Sequence, residues 1–158
     1  MTVLGIDPGI ARCGWGIIKK ADGSRLTAHG YGCIETSSKM DETVRLYTIY
    51  IDIIAIVKKY KPDVIAVEKL FFAANSKTAI TVGQARGAIL VAAGSCQIPV
   101  ASFTPLEVKQ AITGYGRADK VQMQKMVTKT LGLKKTPQPD DTADALAVAV
   151  TYCFMKRY

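Results

Sequence analysis

Four acidic residues, Asp7, Glu68, Asp141 and Asp144, stand where a carboxylate is hard to accommodate. Asp7 closes the apolar run Val3-Leu4-Gly5-Ile6, and Glu68 closes Val64-Ile65-Ala66-Val67. Asp141 and Asp144 open a stretch that continues Ala145-Leu146-Ala147-Val148-Ala149-Val150. A carboxylate beside buried apolar residues is costly unless a cation or hydrogen-bond donors compensate it. Four such groups converging on one place form an all-oxygen site of the kind Mg²⁺ takes. Most of the remaining charge is basic, so the anion such a metal would meet is a nucleic-acid phosphate.

The elements that have to bring these residues together can be placed along the chain. Thr2–Asp7 reads as a buried strand stopped by the turn signal Pro8-Gly9. Cys13–Lys19 and Leu26–Glu35 read as the second and third strands of an antiparallel meander. Asp41–Lys59 carries apolar residues at close to a helical period. Pro62-Asp63 leads into a fourth strand, Val64–Glu68, whose lack of alternation suits a central strand buried on both faces. A loop over 71–76 precedes a long helix over 78–96, in which Gly83, Gly87 and Ala88 are expected to pack closely on the sheet. Ile98–Phe103 is a fifth strand. Thr104-Pro105 starts a short helix, a basic amphipathic helix covers 119–133, and Asp140 or Asp141 opens the last helix. Three meandering strands followed by alternating helices and strands indicate an α/β protein with a five-stranded mixed sheet flanked by helices. We expect a single domain over residues 1–158, since no linker, repeat or low-complexity tract interrupts the pattern.

Composition is that of an ordinary globular chain, 49% hydrophobic and 22% charged. No apolar stretch approaches the roughly 20 residues that span a bilayer. The first strand begins at the N-terminus without a basic leader, so a cytoplasmic location is expected. Cys13, Cys33, Cys96 and Cys153 include no closely spaced pair and read as reduced thiols, and His29 is the only histidine, which argues against zinc. The net charge of +8 is unevenly spread. Residues 1–68 hold nine Lys/Arg against eight Asp/Glu, whereas residues 69–158 hold twelve against five. Three of those five are Asp140, Asp141 and Asp144. A basic half enclosing an acidic cluster suits an enzyme that draws in a phosphate backbone and holds metal beside it.

Taken singly, the acidic motifs are ordinary. Asp7 in Asp-Pro-Gly is a common turn, and carboxylates at a helix start cap it and complement its dipole. Asp141 and Asp144, three residues apart, share a helix face. Asp140 is either the helix cap or an alternative ligand to Asp141, being four residues before Asp144. Glu68 has the fewest structural excuses.

In combination they are more specific. An Asp on the first strand of a meander, a Glu ending the fourth strand and a carboxylate pair on the final helix resemble the acidic layout of ribonuclease-H-like nucleases. In that fold the first and fourth strands are neighbours, which implies that Asp7 and Glu68 face the same metal. Nearly the whole chain further resembles the RuvC family of bacterial Holliday-junction resolvases. The likeness rests on Gly5-Ile6-Asp7-Pro8-Gly9, Gly14-Trp15-Gly16, the Glu68 strand followed by Phe71, Gly83-Gln84-Ala85-Arg86-Gly87, Val108-Lys109-Gln110, and Asp141-x-x-Asp144-Ala145-Leu146-Ala147.

The resemblance implies a Mg²⁺-dependent endonuclease that binds four-way DNA junctions as a homodimer and resolves them by paired symmetrical nicks in recombination and repair. It places the four catalytic acids on Asp7, Glu68, Asp141 and Asp144, holding two Mg²⁺ ions for which Mn²⁺ would substitute. It implies that Phe71 stacks on bases at the opened crossover, with Phe72 as a substitute or packing residue. It also implies that Lys109 and Lys120 lie near the scissile phosphates, and that the RuvA–RuvB branch-migration helicase is a partner. Lys77, Arg86, Arg117, Lys125, Lys129, Lys134 and Lys135 are further candidates for sequence-independent phosphate contacts. Met123 and Met126 are expected in the core. Three rival readings are a different ribonuclease-H-like nuclease, a junction binder without activity, and an actin-type ATP-binding fold, for whose two lobes the chain is too short.

Overall fold

The computed structural model describes residues 1–21, 25–70 and 76–156, with the side chains of Ser76 and Lys77 outside that description. Among the described residues the order is β1 (Thr2–Asp7), β2 (Arg12–Lys20), β3 (Leu26–Glu35), α1 (Glu42–Tyr60), β4 (Val64–Glu68), α2 (Ser76–Ser95), β5 (Val100–Phe103), α3 (Pro105–Thr113), α4 (Lys120–Thr130) and α5 (Asp140–Met155). The strands form one sheet in the order β3-β2-β1-β4-β5. β1 pairs antiparallel with β2 and parallel with β4, and β4 pairs parallel with β5. The mixed sheet is as the strand pattern predicts, and the adjacency of β1 and β4 is as the family resemblance implies.

Alternation along the strands sorts side chains into two layers. Leu4, Ile6, Ile65 and Val67 face α1 and α2, where they pack with Ile49, Ile53 and Ile89. Val3, Val64 and Ala66 face α3, α4 and α5, where they pack with Val108, Val127 and Leu146. Asp7 follows Val3 and Gly5 on this second face, and Glu68 follows Val64 and Ala66.

α5 is apolar nearly all round and is buried from Thr142 to Cys153 apart from Asp144, as a helix between the sheet and a second helical layer has to be. It lies directly on β1 and β2 because those strands carry glycine beneath it. A Cβ on Gly5 would collide with the Ala145 carbonyl and come within 2.7 Å of the Ala149 Cβ, and one on Gly14 would collide with the Asp141 carbonyl. Gly14 therefore sets the height of the first turn of α5 above the sheet, and with it the position of Asp141. Gly14→Ala is expected to destabilise the fold by about 1–3 kcal/mol, which thermal unfolding measures.

The helix ends matter because they present the site. A capping box starts α3, with Glu107 N donating to Thr104 Oγ1 at 3.2 Å and Thr104 N donating to Glu107 Oε2 at 2.7 Å. A second box, between Asp119 and Gln122, makes Lys120 the first residue of α4. α4 ends earlier than the amphipathic pattern suggests, in a turn closed by Gly132 at φ 62°.

Three expectations are corrected here. Asp140 opens α5 as expected, but Pro139, not Asp140, occupies its cap position, and no side chain caps it. The glycines of α2 do not meet the sheet. Ala85, Ile89, Ala92 and Ala93 do, whereas a Cβ on Gly87 would have nothing within 4 Å and one on Gly83 would touch only the Leu70 side chain, at 3.4 Å. The stripe through positions 85, 89 and 92 has the helical period, and it turns Gly83 and Gly87 outward. Met123 is buried as expected, but Met126 is 37% exposed.

Candidate active site

Because Ile6 pairs with Val67 in parallel register, Asp7 and Glu68 end adjacent strands side by side. They emerge at the carboxyl edge of the sheet, where open α/β sheets hold their ligands. The first two turns of α5 bring Asp141 and Asp144 over the same edge.

Electrostatics show the convergence. Burial, reinforced by Glu68, Asp144 and Asp141, holds the Asp7 carboxyl well above the usual range. Burial and then Asp144 push Glu68 up to about 7, with Lys109 opposing. Asp144 is also raised, by burial first, although Lys120 works against the shift. Each group resists ionisation because the others are near and water is not. Among the described residues no three carboxylate, thiol or imidazole groups stand close enough to form a ready-made metal cage. Like charges repel, and two cations sit among them instead.

Those cations flank the cluster. Lys120 Nζ lies 3.1 Å from Asp140 Oδ2 and 3.5 Å from Asp144 Oδ2. Partial burial disfavours its charge, but these contacts outweigh it and raise the Lys120 pKa. On the other side Arg12 Nη1 approaches Asp141 Oδ2 at 3.8 Å. Asp140 Oδ1 accepts a hydrogen bond from Gln124 Nε2 at 3.1 Å, and its contacts with Lys120 and Gln124 hold its pKa below the usual value. Between β4, α3, α4 and α5 opens a cavity of about 220 Å³ lined by Glu68, Lys109, Lys120, Met123 and Asp144 among others.

The structure thus gathers Asp7, Glu68, Asp141 and Asp144 with Lys109 and Lys120. Arg117 is exposed on the loop before α4, three residues from Lys120. Arg86 is not brought to the acids. Its Nη2 donates to Ser102 Oγ at 3.0 Å, against the sheet face that also carries Val67, on the far side from α5. Phe71, Phe72 and the Lys77 side chain lie outside the described residues. Arg12 and Gln124 are not among the residues to which the sequence points. A basic residue just after the Asp7-Pro8-Gly9 turn was a signal for the first, and nothing local pointed to the second.

The donor set, carboxylates alone and partly desolvated without enough positive charge to balance them, fits a hard divalent cation. A ribonuclease-H-like sheet with carboxylates at the ends of β1 and β4 and on the last helix defines a metal-dependent nuclease. Residues 3–152 match the family model described as crossover junction endodeoxyribonuclease RuvC. Crossover junction endodeoxyribonuclease RuvC of Caldicellulosiruptor saccharolyticus is 54% identical over 152 residues, covering 96% of this chain and 92% of that one. The same enzyme of Syntrophomonas wolfei is 52% identical over 158 residues, covering 100% and 90%. The solved structure of T. thermophilus RuvC in complex with a Holliday junction substrate superposes with a TM-score of 0.94 at 37% identity, covering 99% of this chain and 95% of that chain. The chain belongs to the RuvC family of crossover junction endodeoxyribonucleases. Membership implies dependence on a divalent metal ion.

Proposed function

We propose that this protein is a Mg²⁺-dependent, structure-selective endonuclease that resolves four-way DNA junctions by paired symmetrical nicks, in recombination and repair. The observation that carries it is the convergence of Asp7, Glu68, Asp141 and Asp144 on one sheet edge, flanked by Lys109 and Lys120. The RuvC of T. thermophilus, so similar throughout, was solved on a Holliday junction.

Asp7, Glu68, Asp141 and Asp144 hold the metal, as two Mg²⁺ ions per site, with Mn²⁺ able to replace them. When bound, the ions lower the pKa of a water and stabilise charge on the leaving oxygen. The chain's own residues do the rest. Asp7 and Glu68 fix one wall of the site because the parallel register leaves them no other placement. Lys109 and Lys120 both line the cavity and bind the scissile phosphate. Of the adjacent pair, Asp141 is the ligand in this reading, since both oxygens of Asp140 are engaged by residues of α4. Arg117 and the lysines of α4 extend the contact along the backbone, Lys77 adds to it, and Phe71 stacks on a base at the crossover. Arg86 serves packing.

The unit is one nuclease domain over residues 1–158. Two such sites related by a two-fold axis match two equivalent strands of a two-fold junction, so it acts as a homodimer. The outward face of α2 supports this: Ile80 is 71% and Val91 62% exposed, with open space over Gly87 between them. RuvA–RuvB is the partner that delivers junctions. No helix among the described residues is long and apolar enough to cross a membrane, in keeping with action on DNA in the cytoplasm.

A substrate panel tests the proposal. A labelled mobile four-way junction, a linear duplex and an RNA–DNA hybrid are incubated with the protein, in Mg²⁺ and in EDTA. Paired nicks in the junction alone, only with Mg²⁺, are expected. Cleavage of the hybrid in preference would place the protein on another branch of the fold, and binding without cleavage in any metal would end the enzymatic reading.

A further inference from the structure

We propose that Asp140 is a positioning residue: together with Gln124 it anchors the Lys120 ammonium at the mouth of the cleft, so that Asp144 can be released to a divalent ion while Lys120 stays to meet the phosphate. This rests on the proposed roles of Lys120 and Asp144.

The geometry is a ladder between two helices. Lys120 and Gln124 are four residues apart on α4, and Asp140 and Asp144 are four apart on α5, so each pair shares a helix face. Lys120 Nζ reaches both acids, at 3.1 Å from Asp140 Oδ2 and 3.5 Å from Asp144 Oδ2. The other oxygen of Asp140, Oδ1, accepts from Gln124 Nε2 at 3.1 Å. With each oxygen engaged by a different residue of α4, the carboxylate is tied to that helix at two points.

Consider what a divalent cation does to this arrangement. Once it engages Asp144 it repels the Lys120 ammonium, which rides on a flexible four-carbon stem. The Lys120 side chain is 54% exposed and free to swing into solvent. Asp140 is the fixed counter-charge that keeps it in place. Without metal, loss of Asp140 has the opposite consequence: Lys120 retains only Asp144 and competes with the incoming cation for it. Because Asp140 and Lys120 are both about half exposed, their pairing adds little to fold stability. Its effect lies in where the ammonium is held.

The experiment is a cycle of full-length variants, Asp140→Asn and Lys120→Met alone and together, with Gln124→Met as a milder probe. Two quantities are read: Mn²⁺ affinity by calorimetry on the protein without DNA, and single-turnover cleavage split into rate and junction affinity. Asp140→Asn is expected to weaken Mn²⁺ binding and slow cleavage by roughly tenfold each, the scale of groups that orient metal-site residues, with junction affinity unchanged. Gln124→Met moves both quantities the same way by less. In the Lys120→Met background Asp140→Asn should change neither. Equal losses in both backgrounds would overturn the proposal, because Asp140 would then act by its own charge or as a ligand. If Lys120→Met alone cleaves like the native protein, the proposed role of Lys120 falls instead, and the positioning role with it.

Discussion

Asp7→Asn is expected to cut a four-way junction about a thousandfold or more slowly, while junction affinity stays within about twofold. Asp7 ends the central strand with its carboxylate walled in by β4 and α5, and Asn fills the same volume with no charge to hold a metal. Several kcal/mol of transition-state stabilisation are lost with the metal, and each 1.4 kcal/mol is about a factor of ten. Junction affinity survives because phosphate contacts from the surrounding lysines position the DNA independently. Single-turnover cleavage and equilibrium binding in Ca²⁺ or EDTA separate the two. Loss of binding along with cleavage would assign Asp7 a structural role. The same variant should be more stable than the native protein in EDTA, since the burial that keeps the Asp7 carboxyl well above its usual pKa is then a burden without a cation to offset it.

The second large effect concerns Glu68 and pH. Its carboxyl is pushed up to about 7 in the folded protein from an ordinary value of 4.5. Between these values the folded state holds a proton that the unfolded state has lost. Stability therefore falls as pH rises through that window and levels off above it. Asp7 and Asp144 are shifted in the same direction and add to the slope. Glu107 and Asp140 have lowered values and act below the ordinary carboxylate range, so they do not mask it. In EDTA the melting temperature should drop between about pH 5 and about pH 8, and Glu68→Gln should reduce the drop, stabilising the metal-free protein by on the order of 2–3 kcal/mol at the upper end. Mg²⁺ should raise the melting temperature of the native protein more at about pH 8 than at about pH 5, because only ionised carboxylates bind it. A native protein whose stability in EDTA rises over the same window would show that Glu68 is not desolvated beside the other acids. Glu68→Gln is also expected to be inactive, so the cluster trades stability for metal binding.

The acidic constellation was legible as a combination, since singly Asp7 in a turn and Asp141 and Asp144 at a helix start are ordinary and only Glu68 breaks a local rule. A charge ending a fully apolar strand, as at Glu68, has few structural reasons to be there. The meander, the central β4 strand and the capping signal at Thr104 were legible because their physics is contained in a few neighbouring residues. The expected bounds of β1, β3 and β4 coincide with those observed.

What depended on remote packing was not legible. The helical period says which residues of α2 share a face, but not which face meets the sheet, so Gly83 and Gly87 were placed inward when Ala85, Ile89 and Ala92 are the ones that pack there. Arg86 sits among motif residues, yet only the tertiary structure sets it against Ser102 on the far side of the sheet from the carboxylates. Asp140 and Asp141 are adjacent and chemically identical, and no local rule separates them. They part because α4, some twenty residues earlier, places Lys120 and Gln124 against Asp140, while β2 places Arg12 against Asp141. Sequence by itself determined which residues are candidates for the chemistry, since a carboxylate next to an apolar run is a local property. Only the tertiary structure decided which counter-charges meet them, since an ion pair between two elements depends on how those elements pack and not on either one's own pattern.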